Sequence, residues 1–216
     1  MTRDRIAIEL LSDTTFSGGS STAGEVDIEV DHDDLGLPRF GGKTIRGILR
    51  DSWLSMAEHF PDLAAAAENI LGAGAAFADT VVLRIDDASV DAHVREAVRL
   101  ALTRTPHPLG TDEILRSLSD IRYQTAEERA TGAPARASLR ASRVWLRGLV
   151  LFSNLRWLRP PTDAELRCLA LVLLGSRHAG LSRNRGRGFL RMTLIAPGQN
   201  APDLQSTRLL ATEKAR

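Results

Sequence analysis

Hydrophobic and polar positions change period several times along the chain, and each change marks a new element. In residues 5–11 (RIAIELL), Ile6, Ile8 and Leu10 fall on one face at period two, which predicts a strand. Residues 14–24 are rich in Gly, Ser and Thr and read as a loop. Val26, Ile28 and Val30 then alternate with Asp27, Glu29 and Asp31, predicting a second short strand. Residues 35–42 hold Pro38 and three glycines, a turn. From Lys43 the period lengthens: Ile45, Ile48, Leu49, Trp53 and Met56 recur at helical spacing, with Thr44 as the candidate cap and Pro61 as the stop. A second helix follows over 62–71 and ends at Gly72. Residues 80–85 (TVVLRI) read as a strand, 90–102 and 111–118 as helices. The stretch 121–139 has little periodicity and reads as a long loop or a hairpin, a length more often functional than inert. Residues 142–158 are β-rich. Thr162 and Glu165 form a capping box after two prolines and open a helix over 163–177. A loop over 180–188 precedes a last strand, 189–195, and residues 197–216 show no pattern.

Reduced to its strong elements, the order is strand, helix, strand, then strand, helix, strand. This predicts an α+β protein with a ferredoxin-like (RRM-like) βαββαβ core carrying helical and loop insertions. The expected organisation is one domain over 1–196 with an insertion around 86–141, and a loosely ordered tail over 197–216. That plan serves many functions, so chemistry must come from particular residues.

Composition narrows the classes. The chain has 216 residues, 43% hydrophobic and 25% charged, as in an ordinary globular protein with a core. The longest apolar run, 169–175, is too short to span a bilayer, and charges interrupt the N-terminal stretch where a signal peptide needs its apolar run. A cytoplasmic protein with no membrane partner is expected. Cys168 is the single cysteine, which excludes an internal disulfide and a thiolate metal cluster. The net charge of +1 hides an asymmetry: residues 1–115 hold 10 basic and 20 acidic side chains, and residues 116–216 hold 18 and 7. The basic half is almost all arginine, whose planar fork suits phosphate and stacks on bases. A polyanion partner follows if these charges stay free, and internal pairing of the two halves follows if they do not.

Three segments carry candidate chemistry. Residues 36–47 (GLPRFGGKTIRG) lack the Gly spacing of a P-loop, because Leu37 stands where the first glycine belongs. What remains is a glycine turn feeding a helix N-terminus beside Lys43 and Arg46, an arrangement able to hold an anion. Residues 182–189 (SRNRGRGF) place three arginines within five positions among glycines, which suits a phosphodiester backbone. The carboxylates of 25–34 either hold a divalent metal or form a solvated edge. The five histidines are scattered, without metal-ligand spacing such as HExxH, and no GxSxG elbow is present.

Taken in order, four stretches resemble the RAMP superfamily of CRISPR-associated proteins. Residues 27–47 (DIEVDHDDLGLPRFGGKTIRG) look like its acidic strand, Gly-Leu-Pro turn and helix opening. Residues 71–82 (LGAGAAFADTVV) are similar to its Leu-Phe-Gly … Phe-Ser-Asp stretch, 137–150 (ASLRASRVWLRGLV) to the segment after its central insertion, and 182–189 to its C-terminal glycine-rich loop. The usual Pro-Gly-Ser-Ser turn is Gly-Gly-Lys-Thr here. The resemblance implies a guide-RNA-binding subunit, most like the backbone or capping subunits of type III effectors. Its partners would be guide RNA, target RNA, other effector subunits and copies of itself. Binding would require no cofactor. The residues it points to are Lys43, Thr44, Arg46 and Arg50 near the first helix, Arg136, Arg140 and Arg143 along the central loop and strand, and Arg183, Asn184, Arg185 and Arg187 in the glycine loop. In backbone subunits of that type an aspartate before the Gly-Leu-Pro turn cleaves target RNA with a divalent metal. Asp27 matches that place, so a metal-dependent endoribonuclease using Mg²⁺ or another divalent ion at Asp27 is the alternative. Two other classes stay open: a metal-free ribonuclease with His32 as base, and a ferredoxin-like protein-interaction module that binds no RNA.

Overall fold

The computed structural model describes residues 4–73, 81–196, 199 and 201–212. Its centre is strand β1 (Arg5–Leu10), paired antiparallel with β7 (Val150–Trp157) on one side and β8 (Leu190–Ile195) on the other. The period-two pattern sets the register. Ile8 sits opposite Leu151 and Met192, and all three are buried in one row. A one-residue slip would turn that row out to solvent, so the pattern specifies the pairing.

Strand β7 is long enough to take two short partners on its far edge. Strand β3 (Leu83–Ile85) pairs along Leu155–Trp157, and β4 (Ala88–Ser89) meets β7 at Phe152. Strand β2 (Arg39–Phe40) pairs β4. Helices α1 (Gly42–Met56), α2 (Ala64–Leu71) and α5 (Asp163–Gly175) pack together against the sheet, with Ile45, Leu49, Leu169 and Leu173 in the shared core. The fold is α+β with antiparallel sheets, as expected. Helix α3 (Ala92–Thr103) buries no residue fully, whereas α4 (Thr111–Leu118) buries Ile114 and Leu115. Strands β5 (Ser119–Gln124) and β6 (Arg140–Trp145) form a separate two-stranded hairpin, which resolves the reading of 121–139.

Three expectations change. Residues 26–30 are not a strand of the sheet. They dock on β6 through single bridges, with the Asp27 N–H donating to the Ala141 carbonyl (2.9 Å) and the Arg143 N–H to the Ile28 carbonyl (2.9 Å). Thr44 does not cap α1. The helix starts at Gly42, whose N–H donates to the Asp87 carboxylate at 2.8 Å. The expected loose tail contains helix α6 (Leu204–Thr212), held because the Leu194 N–H donates to the Thr207 hydroxyl at 3.0 Å. Its Thr207 and Ala211 are buried, four positions apart on one face of a nine-residue helix. Thr80 of the expected third strand and residues 74–80 of the RAMP-like stretch 71–82 lie outside the described residues.

The capping box forms as read. Glu165, 1% exposed, accepts from the Thr162 N–H (2.9 Å), Arg159 (2.8 Å) and Asn69 (3.0 Å). Arg159 above all holds its pKa down at about 2, against an ordinary 4.5. A depressed carboxyl stabilises the fold above its unfolded pKa and loses that contribution as pH falls toward the folded value. Acid titration of folding stability should therefore show a loss between about pH 5 and 2, and Glu165→Gln should flatten that limb while lowering stability at neutral pH.

Candidate functional site

The glycine turn and the glycine-rich loop, 140 positions apart in sequence, meet across one cleft of about 430 Å³. Helix α1 supplies one wall through Thr44, Gly47, Ile48 and Asp51, which share a face by the three- and four-residue spacing of a helix. Gly180, Leu181 and Arg183 supply the opposite wall. The floor is Phe16 and Phe40, stacked at 3.8 Å between centroids and 6° between planes, with Asp31 beside them. Gly47 is notable within a helix, where glycine costs about 0.5–1 kcal/mol. A Cβ built there meets nothing within 4 Å, so its missing side chain is open cleft.

The loop is braced rather than free. Arg183–Arg185 form a single 3₁₀ turn between two left-handed residues, Ser182 (φ 59°) and Gly186 (φ 74°). Arg185 donates to Gln124 on β5 at 3.2 Å, tying the loop to the hairpin. The glycines do different work from that expected. Gly180 (φ 80°) lies so close to Thr15 that a Cβ would stand 2.3 Å from its carbonyl oxygen, and a Cβ on Gly188 (φ 72°) would stand 2.0 Å from the Ala179 oxygen. These two allow backbone to pack on backbone. Only Gly186 faces open space.

The predicted residues divide by exposure. Arg183, Asn184 and Arg185 are exposed and Arg187 is half-buried; among the described residues none of the three arginines forms an ion pair. Burial and then the nearby Arg122 guanidinium lower the Arg187 pKa. Crowded cations of this kind favour a counter-anion. Lys43 and Thr44 are exposed beside the cleft, and Arg50 is half-buried on α1. Arg136 and Arg140 are exposed on the hairpin.

Two predicted residues have structural tasks instead. Arg143 is 4% exposed at its side chain and pairs with Glu29 (2.7 Å) and Glu25 (3.1 Å). Arg46 donates to the carbonyls of Ile70 (3.0 Å) and Leu83 (2.6 Å), joining α1 to α2 and β3. Their forks are spent inside the fold. The anion site expected at the start of α1 is likewise filled, by Asp87. Part of the charge asymmetry is neutralised in the same manner: Arg116, Arg122, Arg143, Arg156, Arg167 and Arg191 pair with Glu25, Asp13, Glu29, Asp86, Asp62 and Glu9. Among the described residues the loop arginines stay outside this pairing, as do Arg129, Arg136, Arg140, Arg147, Arg177 and Arg208; the loop differs in gathering three such cations within five positions.

Asp27 lies apart from the cleft. It is exposed, and its carboxylate accepts from the Ala141 N–H at 2.7 Å. Among the described residues no three His, Cys, Asp or Glu side chains gather to hold a metal. The acids in the cleft are Asp31, which pairs with Arg39 at 3.2 Å, and Asp51 on the α1 wall. His32 is exposed, with Nδ1 2.9 Å from the Asp33 carbonyl. Sequence reasoning missed Phe16, Phe40 and Asp51. Their only signals were an aromatic within a polar loop, an aromatic beside the glycine turn, and a helical offset of seven from Thr44.

No protein-family model matches the chain, and no curated protein does. Solved structures do. A chain of the type III-B Cmr-beta complex in its apo state has a TM-score of 0.65 and 11% identity, covering 90% of this chain and 97% of that one. A chain of the same complex bound to cognate target RNA gives the same values. At this identity the likeness is one of fold.

Two outcomes test these assignments. Arg143→Ala should lower unfolding free energy by about 3 kcal/mol, because it strands the buried Glu29 carboxylate; chemical denaturation reads this directly. Gly188→Ala should cost more than about 2 kcal/mol, combining a left-handed φ with a backbone clash, whereas Gly186→Ala should cost only about 1 kcal/mol of conformational strain.

Proposed function

We propose that this chain is a RAMP-type RNA-binding subunit of a type III CRISPR effector complex, holding the guide-RNA backbone along the cleft rim. The observation that carries the reading is the meeting of the α1 face and the Ser182–Phe189 loop across one cleft, with Arg183, Arg185 and Arg187 forming no ion pair among the described residues. Exposed Arg136 and Arg140 on the hairpin, joined to the loop through the Arg185–Gln124 bond, extend the cationic rim. The residues this reading assigns to RNA are Lys43, Thr44, Arg50, Arg136, Arg140, Arg183, Asn184, Arg185 and Arg187.

The strand order β8-β1-β7-β3, with α1 between β1 and β3 and α5 between β7 and β8, supports a ferredoxin-like core. The fold likeness to Cmr-beta chains, one set of them in a complex bound to target RNA, supports the effector context. The partners would be guide and target RNA, other effector subunits and copies of this chain, in the cytoplasm. Among the described residues no helix is long and apolar enough to cross a membrane. Phosphate binding by arginine forks calls on no cofactor.

Binding of single-stranded RNA should weaken steeply with salt, because each neutralised phosphate adds about 0.7 to the log–log slope. Replacing Arg183, Arg185 and Arg187 together by alanine should reduce that slope by up to about 2. Fluorescence anisotropy across a salt series measures it, and an unchanged slope removes the loop from the interface.

A further inference from the structure

The interior of the cleft is chemically unlike its rim. The rim is cationic. The interior combines the paired Phe16 and Phe40, Ile48 and Leu181 with the carboxylates of Asp31 and Asp51 and the hydroxyl of Thr44. Two carboxylates facing one space repel a phosphate. A flat apolar group with N–H donors on its edge suits the same space. The volume, about 430 Å³, falls in the range of about 300–1,000 Å³ typical of small-ligand sites.

We propose that this cleft takes one unstacked nucleobase, guanine before the others, while its flanking phosphates lie outside on Arg183 and the glycine-rich loop. The proposal rests on the RNA-binding reading above and adds to it a base-selective pocket. Single-stranded RNA is read by splaying bases out and bonding their Watson–Crick edges. Guanine presents two parallel donors there, N1–H and the 2-amino group, which a single carboxylate accepts side by side. Uracil presents one donor flanked by two carbonyls, and those face the carboxylates unfavourably. Asp51 is the side chain placed for this contact. It is exposed at the cleft wall and forms no ion pair among the described residues, whereas Asp31 is engaged by Arg39. Gly47, one turn before Asp51 on the same face, leaves the space in which the base plane lies.

The site supplies its own plug. Because a Cβ at Gly47 meets nothing within 4 Å, Gly47→Leu projects into the cleft without displacing protein atoms near the backbone. The experiment compares the affinity of the full chain for a short oligouridine with that for the same strand carrying one central guanosine. The guanosine strand should bind about tenfold tighter, the size of one good two-point contact to a base. Inosine, which lacks the 2-amino group, should recover only part of that ratio. Gly47→Leu, and separately Asp51→Asn, should bring the ratio to one. Alanine at Arg183, Arg185 and Arg187 should instead weaken both strands together. Equal affinity of the unaltered protein for the two strands overturns the base pocket, as does a ratio that survives both cleft variants. Failure to bind either strand at low salt overturns the RNA-binding reading itself, and the pocket with it.

Discussion

One buried guanidinium ties the two halves of this chain together. Arg143 on β6 reaches Glu29 and Glu25, and its carbonyl accepts from the Thr15 hydroxyl at 2.9 Å. The acidic segment would otherwise be a string of repelling carboxylates. Clamped to β6, it runs in a defined path from Phe16 to Phe40, and the bridge between Thr14 and Trp145 fixes the same region from its other end. The floor and one acid of the cleft belong to that path. The position of the cleft is thus a consequence of an ion pair that never touches it. Burying such a pair is expensive, and it persists here because both of its carboxylates and its backbone are satisfied at once.

Close backbone contacts complete the arrangement. The glycine-rich loop is held where Gly180 lies on Thr15 and Gly188 lies on Ala179, with the Phe189 N–H donating to the Ser12 hydroxyl at 2.9 Å. Residues 12–16 therefore support the loop and the cleft floor together. The arginines gain their exposure from this rigidity. A loop pinned at both ends presents its 3₁₀ turn outward, and the arginines on that turn form no ion pair among the described residues. Rigid placement of charge lowers the ordering cost of binding a flexible polyanion.

Much of the fold was readable from period and punctuation. The β1 alternation, the α1 stripe and the Thr162–Glu165 box that opens α5 all appear where the pattern placed them, because each is decided by residues within a few positions. The strand at 26–30 failed for a physical reason: its alternation matches a strand, yet its N–H groups divide between Thr22, Ala141, Ser20 and the Glu29 carboxylate, so no continuous ladder to one neighbour forms. Separation along the chain also hid the true tasks of Arg143, whose Glu29 partner lies 114 positions away, and of Arg46, whose partners lie 24 and 37 positions away. Composition counts charges and cannot see pairing. The loop itself was legible as a basic segment. Its relation to the α1 face, and the aromatic floor between them, exist only after the chain closes.

Helix α6 gives the sheet a property beyond added burial. Strand β8 is an edge, and edges recruit other strands. Here two outward N–H groups of β8 are occupied, Leu190 N–H by the Arg177 carbonyl (2.9 Å) and Leu194 N–H by Thr207 (3.0 Å). The opposite border ends in the two-residue β2. A neighbouring subunit therefore meets side chains at β8 rather than a bare ladder, and growth of a shared sheet across that border requires α6 to leave first. The closing helix makes any assembly through this side one of surfaces, with each copy keeping its sheet to itself.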